Sequence, residues 1–479
     1  MTDAEFLLNP KTIAETLFLG DTSGLVLDYA AEEVGALLGT PVLFRPGVPA
    51  DAELDSGGFF AIGTGADPII QRLAARGIVR VPPHAQGYHL RVMQNPKAPA
   101  KWWVVIAGGS PAGVLYGLRD LTYYHSAMPQ GGLALKATDA AGAPGVADRG
   151  LWTYDTSVPN FMGYFNQMSK SKMNALIAWW CLNDVFLPDR GGMIPDYDDY
   201  IGFAHSRGVK VILGLGAFSY GTVRAAPEEL RRVPNPHAGR GWASPNLLCY
   251  SDPMNVRWMK KYARQVARQY KVDGFYLQTG NIDYPLCTCS LCKQFTPEQH
   301  YYRATNLVID ALLEERSDLE ISVGIDTNVN PPDMALRQIR EKATIIWECG
   351  GVFPTPDGDL ARGEQYIAIR PENFGLLFRP VEYCLGGGSD GFELWNLRPV
   401  DTARRTLQWM RLGHSRGVRH VTGCTLNSHI GAFFNFLPAL FGEMMWDPTM
   451  SEAEMDRRAL ALKRFASGDP YILQYFSGR

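Results

Sequence analysis

The sequence predicts an α/β fold, a (β/α)8 TIM barrel preceded by a small α+β domain. Between residues 150 and 424, short apolar runs alternate with amphipathic helical stretches, the rhythm of repeated βα units. Eight strand candidates within about 280 residues match the size of such a barrel with a few long loops. Ahead of them the run TDAAGAPGVADRG, Thr138 to Gly150, is rich in Ala, Gly and Pro and reads as a linker closing off a first block.

That first block, residues 1–145, opens with Leu25-Val26-Leu27 leading into a short helix closed by Gly39. Phe59 to Gly65 reads as a strand and turn, followed by the helix PIIQRLAARG. Tyr88–Val92 and Trp102–Ala107 read as paired strands. Gly108-Gly109-Ser110-Pro111 then starts a helix, with Ser110 as N-cap and Pro111 at the first helical position. Glycines 63, 65, 108 and 109 do not complete the G-x-G-x-x-G spacing of a dinucleotide site.

The barrel is expected over residues 146–449. Its strand candidates are Gly150–Tyr154, Ala175–Trp180, Val209–Leu215, Val272–Leu277, Glu320–Ile325, Thr344–Trp347, Gly391–Trp395 and Val418–Cys424. Helices fit between them at Phe161–Lys172, Tyr197–Arg207, Met254–Tyr270, Pro297–Glu315, Pro332–Lys342 and Thr402–Arg416. The segment Gly363–Gly388 has room for an extra strand. Residues 450–479 are charged and helical and are expected to pack on the outside of the barrel.

A formal net charge of -3 and a pI near 6.3 give no electrostatic case for nucleic acid or an anionic membrane. No stretch reaches the roughly 20 apolar residues of a membrane span, and the first residues lack the pattern of a secretory signal. Single cysteines such as Cys181, Cys384 and Cys424 suit a reducing compartment, so a cytoplasmic protein is expected. The oligomeric state stays open, a homodimer included. The aromatic share of 11%, with 11 Trp and 21 Tyr, suits flat apolar faces with a polar edge, such as sugar rings, although most will be core.

Active sites of such barrels lie at the carboxyl ends of the strands. There this sequence places Trp152, Tyr154 and Asp155 (first strand), Asn281 and Asp283 (fourth) and Asp326 (fifth). Glu348 follows on the sixth, Glu393 and Trp395 on the seventh, and Asn427 and His429 on the eighth. Carboxylates, amides and indoles with few basic residues are what a neutral polyhydroxylated ligand needs. Two of the carboxyl groups can supply acid and base or nucleophile, with no cofactor needed for catalysis. Glu348 and Glu393 are the pair chosen, with Asp283, Asp155 or Asp326 as replacements. Each also has a structural reading, as a salt bridge or a helix cap. The histidines form no H-x-H or H-E-x-x-H pair, and no G-x-S-x-G elbow is present.

The most specific local signal is Cys287-Thr288-Cys289-Ser290-Leu291-Cys292. C-x-C-x-x-C brings three thiols within reach of one tetrahedral ion, and Cys249, just before the helix that feeds the fourth strand, completes four ligands. A structural zinc is the favoured reading. Reduced packed cysteines and a catalytic thiol are the alternatives.

The block YHLRVM…WWVVIAGGSPAGVLYGLRDL resembles the small domain ahead of the barrel in family 20 β-N-acetylhexosaminidases and α-glucuronidases, through Gly108, Gly113, Tyr116 and Gly117. The barrel start DRGLW is similar too, as are Leu248-Cys249 and Ser251-Asp252-Pro253 followed by a fourth strand with C-x-C-x-x-C downstream. The resemblance implies a hexosaminidase domain-2-like first domain and glycoside hydrolysis at the barrel mouth. It departs at one place. Family 20 enzymes end the fourth strand in an adjacent Asp-Glu pair, and here Gly280-Asn281 stands there, with Asp283 two residues on. α-Glucuronidases draw carboxylates from several strand ends, and Glu348 and Glu393 match that arrangement by strand order. The expected activity is cleavage of a glycosidic bond in an oligosaccharide or glycoside. A carbohydrate-binding pseudoenzyme of the same fold is one rival. A sugar-acid lyase or isomerase, with Arg370, Arg379 or Arg398 holding the acid, is the other.

Overall fold

The structure, a computed structural model, describes residues 5–127, 133–153, 158–178, 197–219, 221–235, 245–278, 287, 289–325, 333–349, 364–378, 399–425, 436–465 and 476. It divides into two compact units. The first comprises Met1–Pro144, His205–Gly208 and Ala453–Phe465. The second comprises Gly145–Ala204, Val209–Glu452 and Ala466–Arg479.

The first unit holds strands β1 (Glu5–Leu8), β2 (Thr16–Leu19), β3 (Gly58–Thr64), β4 (Tyr88–Asn95), β5 (Ala98–Gly108), β6 (Ser126–Ala127), β7 (Leu133–Lys136) and β8 (Thr138–Gly142). Five of them make a mixed sheet in the order β2-β3-β5-β4-β8, and β1-β7-β6 form a small antiparallel sheet. Trp103, Val105 and Ala107 of β5 pack with Phe59 and Ala61 of β3 against Ile69, Ile70 and Leu73 of the helix Pro68–Ala75. The helix Pro111–Tyr124 packs on the same strands. Its glycines allow the close approach: a Cβ on Gly113 would lie 2.1 Å from the Gly87 carbonyl oxygen, and one on Gly117 2.6 Å from the Ile106 side chain.

Two expectations are corrected in this unit. Thr138–Gly142 is not linker but the edge strand β8, paired antiparallel with β4. A ladder needs backbone groups rather than large side chains, and Gly142 leaves the space that the Tyr88 ring fills. Residues 453–465, expected on the barrel, group instead with the first unit. Arg464 explains this, donating to the carbonyls of Thr122, Tyr123 and Ser126 at 2.5–2.7 Å. These acceptors lie at the end of the helix Pro111–Tyr124, where the last carbonyls lack helical partners and favour a cation. Phe465 adds an edge contact to Tyr123 at 4.9 Å.

The second unit is a closed barrel of eight parallel strands: β9 (Asp148–Thr153), β10 (Ala175–Ala178), β11 (Lys210–Gly216), β14 (Gly274–Gln278), β15 (Glu320–Ile325), β16 (Ala343–Cys349), β17 (Phe374–Phe378) and β18 (His420–Thr425). A two-stranded hairpin, β12 (Arg232–Pro234) and β13 (Asn246–Leu248), follows the third barrel strand. The seventh barrel strand is therefore Phe374–Phe378, not Gly391–Trp395. Both segments are short apolar runs, but β17 pairs with β16 and β18, and the closed ladder leaves no edge for another strand.

Trp152, Ile177, Ile212, Tyr276, Ile346 and Leu377 fill the interior, one from each of six strands. On β15 Gly324 makes room for Tyr276, since a Cβ there would lie 1.8 Å from the Tyr276 hydroxyl. Outside, the helix Pro253–Gln269 buries Met259, Tyr262, Ala263, Val266 and Ala267, an i, i+3, i+4, i+7 stripe. Asp252 caps it by accepting from the Met254 amide at 2.9 Å, and Pro253 takes the first position.

The amino ends of the strands carry a charge network. Lys210 Nζ lies 2.7 Å from Asp148 and 2.8 Å from Glu320, and His420 Nδ1 lies 2.8 Å from Asp148. All four residues open their barrel strands. Beneath them Arg149, fully buried, donates to the carbonyls of Val146, Ala147 and Lys172 at 2.6–2.9 Å. Lys172 pairs with Glu443 at 2.9 Å, both side chains 1% exposed, and its ammonium sits 5.0 Å from the Trp446 ring centre. Among the described residues no helix is long and apolar enough to cross a membrane.

Candidate functional site

The carboxyl ends of the barrel strands are Thr153, Ala178, Gly216, Gln278, Ile325, Cys349, Phe378 and Thr425. Of the residues expected there, Tyr154, Asp155, Asn281, Asp283, Asp326, Glu393, Trp395, Asn427 and His429 lie outside the described residues. Glu348 is the penultimate residue of β16, in backbone register with Leu377 of β17; its side chain is outside the description. In chain order Glu393 and Trp395 follow the seventh strand, Phe374–Phe378. Trp152 is also corrected. It is 2% exposed inside the barrel, 6.3 Å from Tyr276 in an edge contact, so it fills the core instead of offering a face to a sugar.

What the described part of the mouth shows best is how the loops after the third and fourth strands are tied together. The Gln278 carbonyl, ending β14, accepts from the Ala217 amide at 2.9 Å and from Ser219 Oγ at 3.3 Å. Between these donors Phe218 sits at φ 63, a left-handed conformation uncommon for a non-glycine residue, with its ring buried. Its carbonyl accepts from the Leu248 amide at 3.0 Å, which docks the β12–β13 hairpin.

Cys249 follows that hairpin, and its backbone is locked in place. Its amide donates to the Arg231 carbonyl at 3.3 Å. The fully buried Asn255 donates to the Cys249 carbonyl at 3.1 Å and the Arg231 carbonyl at 2.8 Å, and accepts from the Arg231 amide at 3.1 Å. Beyond β14, Cys287, Cys289 and Cys292 arrive just before the helix Pro297–Glu315, which a Thr296–Gln299 capping box starts. The four thiol sulfurs all lie within 4.8 Å of one another. Cys249 Sγ is 3.5 Å from Cys289 Sγ and 3.6 Å from Cys292 Sγ. Cys249, Cys287 and Cys292 are buried and Cys289 is half-buried, all four as free thiols. Cys292 donates to Ser251 Oγ at 3.2 Å, and the Tyr250 hydroxyl hydrogen-bonds His300 Nδ1 beside the cluster.

The electrostatics single out one thiol. The neighbouring thiol of Cys287 draws Cys249 below the ordinary thiol range against its burial, while Cys287 itself is pushed up. Burial pushes Cys292 up and keeps Tyr250 protonated. The sequence marked the cysteines by spacing. It gave no sign of Phe218, Asn255 or the hairpin, whose roles are made by backbone geometry; a polar residue at 255, just inside a capped helix, was the only trace.

Neither a protein-family model nor a curated protein sequence matches the chain. Solved structures do match in fold. An exo-β-N-acetylglucosaminidase of glycoside hydrolase family 20 from Vibrio harveyi, in complex with N-acetylglucosamine, aligns over 97% of this chain and 75% of its own, at TM-score 0.64 and 11% identity. A β-N-acetylhexosaminidase from Bacteroides fragilis aligns over 100% and 91%, at TM-score 0.59 and 12% identity. A mutant β-hexosaminidase of Streptomyces plicatus, in complex with its product GlcNAc, aligns over 98% and 95%, at TM-score 0.59 and 15% identity. At 11–15% identity the likeness is one of fold: a TIM barrel with a small domain before it, shared along nearly the whole chain with these enzymes.

Proposed function

We propose that this chain is a glycoside hydrolase, cleaving the glycosidic bond of an oligosaccharide or glycoside at the carboxyl face of its barrel. The observation that carries the reading is the shared architecture: first domain and barrel together follow structures described as β-N-acetylhexosaminidases over 97–100% of this chain. Glu348 supplies one catalytic carboxyl group. It stands at the carboxyl end of β16, two residues past the barrel-filling Ile346, a position of the same face by strand alternation. Glu393, in the connection after the seventh strand, supplies the second, with Asp283, Asp155 or Asp326 as replacements. Asn281, Tyr154, Trp395, Asn427 and His429 bind sugar hydroxyls and faces. The setting is cytoplasmic, in keeping with reduced thiols.

Gly280-Asn281 replaces the acidic pair of the hexosaminidases, so the acetamido-assisted route is not part of this proposal. The pair acts instead as acid with nucleophile or base, about 5–5.5 Å apart for retention and about 6.5–9.5 Å for inversion.

The test is a panel of aryl glycosides and uronides offered to the wild type, Glu348→Gln and Glu393→Gln. Loss of one acid or base lowers kcat by roughly 10²–10⁴-fold. Full activity in both variants refutes the pair. No cleavage of any glycoside, with sugars still raising Tm, favours a binding protein. Turnover of a sugar acid without hydrolysis favours a lyase or isomerase.

A further inference from the structure

We propose that Cys249, Cys287, Cys289 and Cys292 bind one zinc ion as a four-thiolate structural site that clamps together the barrel loops following β11 and β14. Glycoside hydrolysis does not require it, and its test is independent of that reading.

Geometry carries the inference. A tetrahedral zinc with Zn–S bonds of about 2.3 Å sets its sulfurs about 3.8 Å apart. The Cys249 sulfur stands 3.5 Å and 3.6 Å from two of its neighbours, and no pair of the four exceeds 4.8 Å. These spacings far exceed a disulfide bond of about 2.05 Å. They are also too tight for the spread of cysteine sulfurs around a four-iron cluster. One small tetrahedral ion fits, and a set of four soft thiolates selects zinc or iron over oxygen-loving cations.

The surroundings are built for thiolates. Cys292 Sγ hydrogen-bonds Ser251 Oγ at 3.2 Å, which places a hydroxyl directly beside one of the four sulfurs. Once Cys292 loses its proton, that hydroxyl can turn its own proton toward the sulfur and offset its charge, as groups around metal ligands do. The Asn255 bonds fix the Cys249 backbone, so one ligand is pre-placed by the hairpin and the start of a helix. The other three come from the run between β14 and the next capped helix. Three of the four ligands are buried, and four thiolates fill the tetrahedral shell, as in structural sites; a catalytic zinc would keep an open position.

Binding is a proton exchange: zinc enters as the dication, each ligand that is still a thiol releases its proton, and no oxidant or reductant takes part. The experiment is metal analysis of the full chain, expressed with its natural cysteines and dialysed against a weak chelator. One zinc per chain is expected, released stoichiometrically as a mercurial titrates four thiols. Cys289→Ser, the least buried ligand, should lose most of the zinc, and Cys384→Ser should retain it. Because a ligand variant can fail to fold, cobalt replacement in the wild type gives a second readout: the intense visible bands of tetrahedral thiolate cobalt are expected. A folded chain that carries no metal, shows no Tm increase with added zinc and gives no such cobalt spectrum would overturn the proposal. So would iron in place of zinc, or a disulfide among the four.

Discussion

Glu443→Gln should be among the most damaging single changes that stay clear of the barrel mouth. Glu443 and Lys172 meet at 2.9 Å with both side chains 1% exposed, so water cannot take the place of either partner. The substitution keeps the shape and removes the negative charge from beside a buried ammonium that also lies over the Trp446 ring. Removing one member of a buried pair costs about 3–5 kcal/mol, most of it the desolvation of the charge left behind. At roughly 2 °C per kcal/mol for a unit of this size, Tm falls by about 6–10 °C. Differential scanning calorimetry at pH 7 reads this directly. The double change Lys172→Met with Glu443→Leu should recover most of the loss, because apolar groups can replace a buried pair. A Tm within about 2 °C of wild type for Glu443→Gln would show that the pair is neutralised or hydrated, and the reasoning would fail.

At the amino ends of the strands, Asp148→Asn should cost on the order of 1–3 kcal/mol at neutral pH, because it weakens hydrogen bonds between charged groups. Burial raises the Asp148 carboxyl, but the His420 hydrogen bond and the Lys210 charge outweigh it and hold it well below the usual carboxylate range. A depressed pKa contributes stability above the unfolded value of about 3.9 and loses it as pH falls further. Urea midpoints of wild type should therefore drop between about pH 5 and pH 2 more steeply than those of Asp148→Asn; parallel curves would contradict this. Lys210 is shifted the other way. Burial lowers it, Asp148 and Glu320 outweigh that, and its contribution persists until the pH rises through its raised pKa. Gly324→Ala forces a methyl group onto the Tyr276 ring, 2.3 Å from its Cζ as well as 1.8 Å from its hydroxyl, and should cost roughly 1–3 kcal/mol, relieved when combined with the smaller Tyr276→Val and not with Tyr276→Phe. An additive pair of effects in that double variant would show that the two do not share the space.

Much of the architecture is legible in the sequence because a parallel strand covered on both faces reads as a short apolar run. Val272–Leu277 and Glu320–Ile325 fall on β14 and β15 for that reason. The seventh strand shows the limit. FGLLF and GFELW are equally short and mostly apolar, the second interrupted by Glu393, and closure of the ladder through β16 and β18 decides between them. Trp152 shows a second limit. A tryptophan near a strand end has the same sequence signature whether it fills the barrel or lines the mouth, and the Tyr276–Gly324 packing that captures it is contributed by two distant strands. The cysteines were legible because C-x-C-x-x-C fixes three of them locally. Chain order indicated that Cys249 could return to them, but the Asn255 lock that holds it there is a tertiary fact.

The two ends of the barrel have different chemistry, and this bears on the altered fourth strand. The amino end holds charges that answer one another: Lys210 between Asp148 and Glu320, Lys172 against Glu443, Arg149 spent on three carbonyls. For the fully buried Lys172–Glu443 pair, removing one member exposes the desolvation cost of the other, so this end bears stability. At the carboxyl end the described ties are made largely by backbone groups: the Gln278 carbonyl, the Phe218 carbonyl, and the carbonyls that Asn255 holds. Ties of this kind are indifferent to which side chains the adjoining loop carries. A loop so tied can vary in sequence without loosening the barrel, and the four-sulfur clamp proposed above would make it still less dependent on its own sequence. Under the proposed function, Gly280-Asn281 in place of an acidic pair is a matter of chemistry rather than of folding, and the catalytic acid of that proposal is Glu348 on β16 or a residue that follows β17 in the chain, not one on β14.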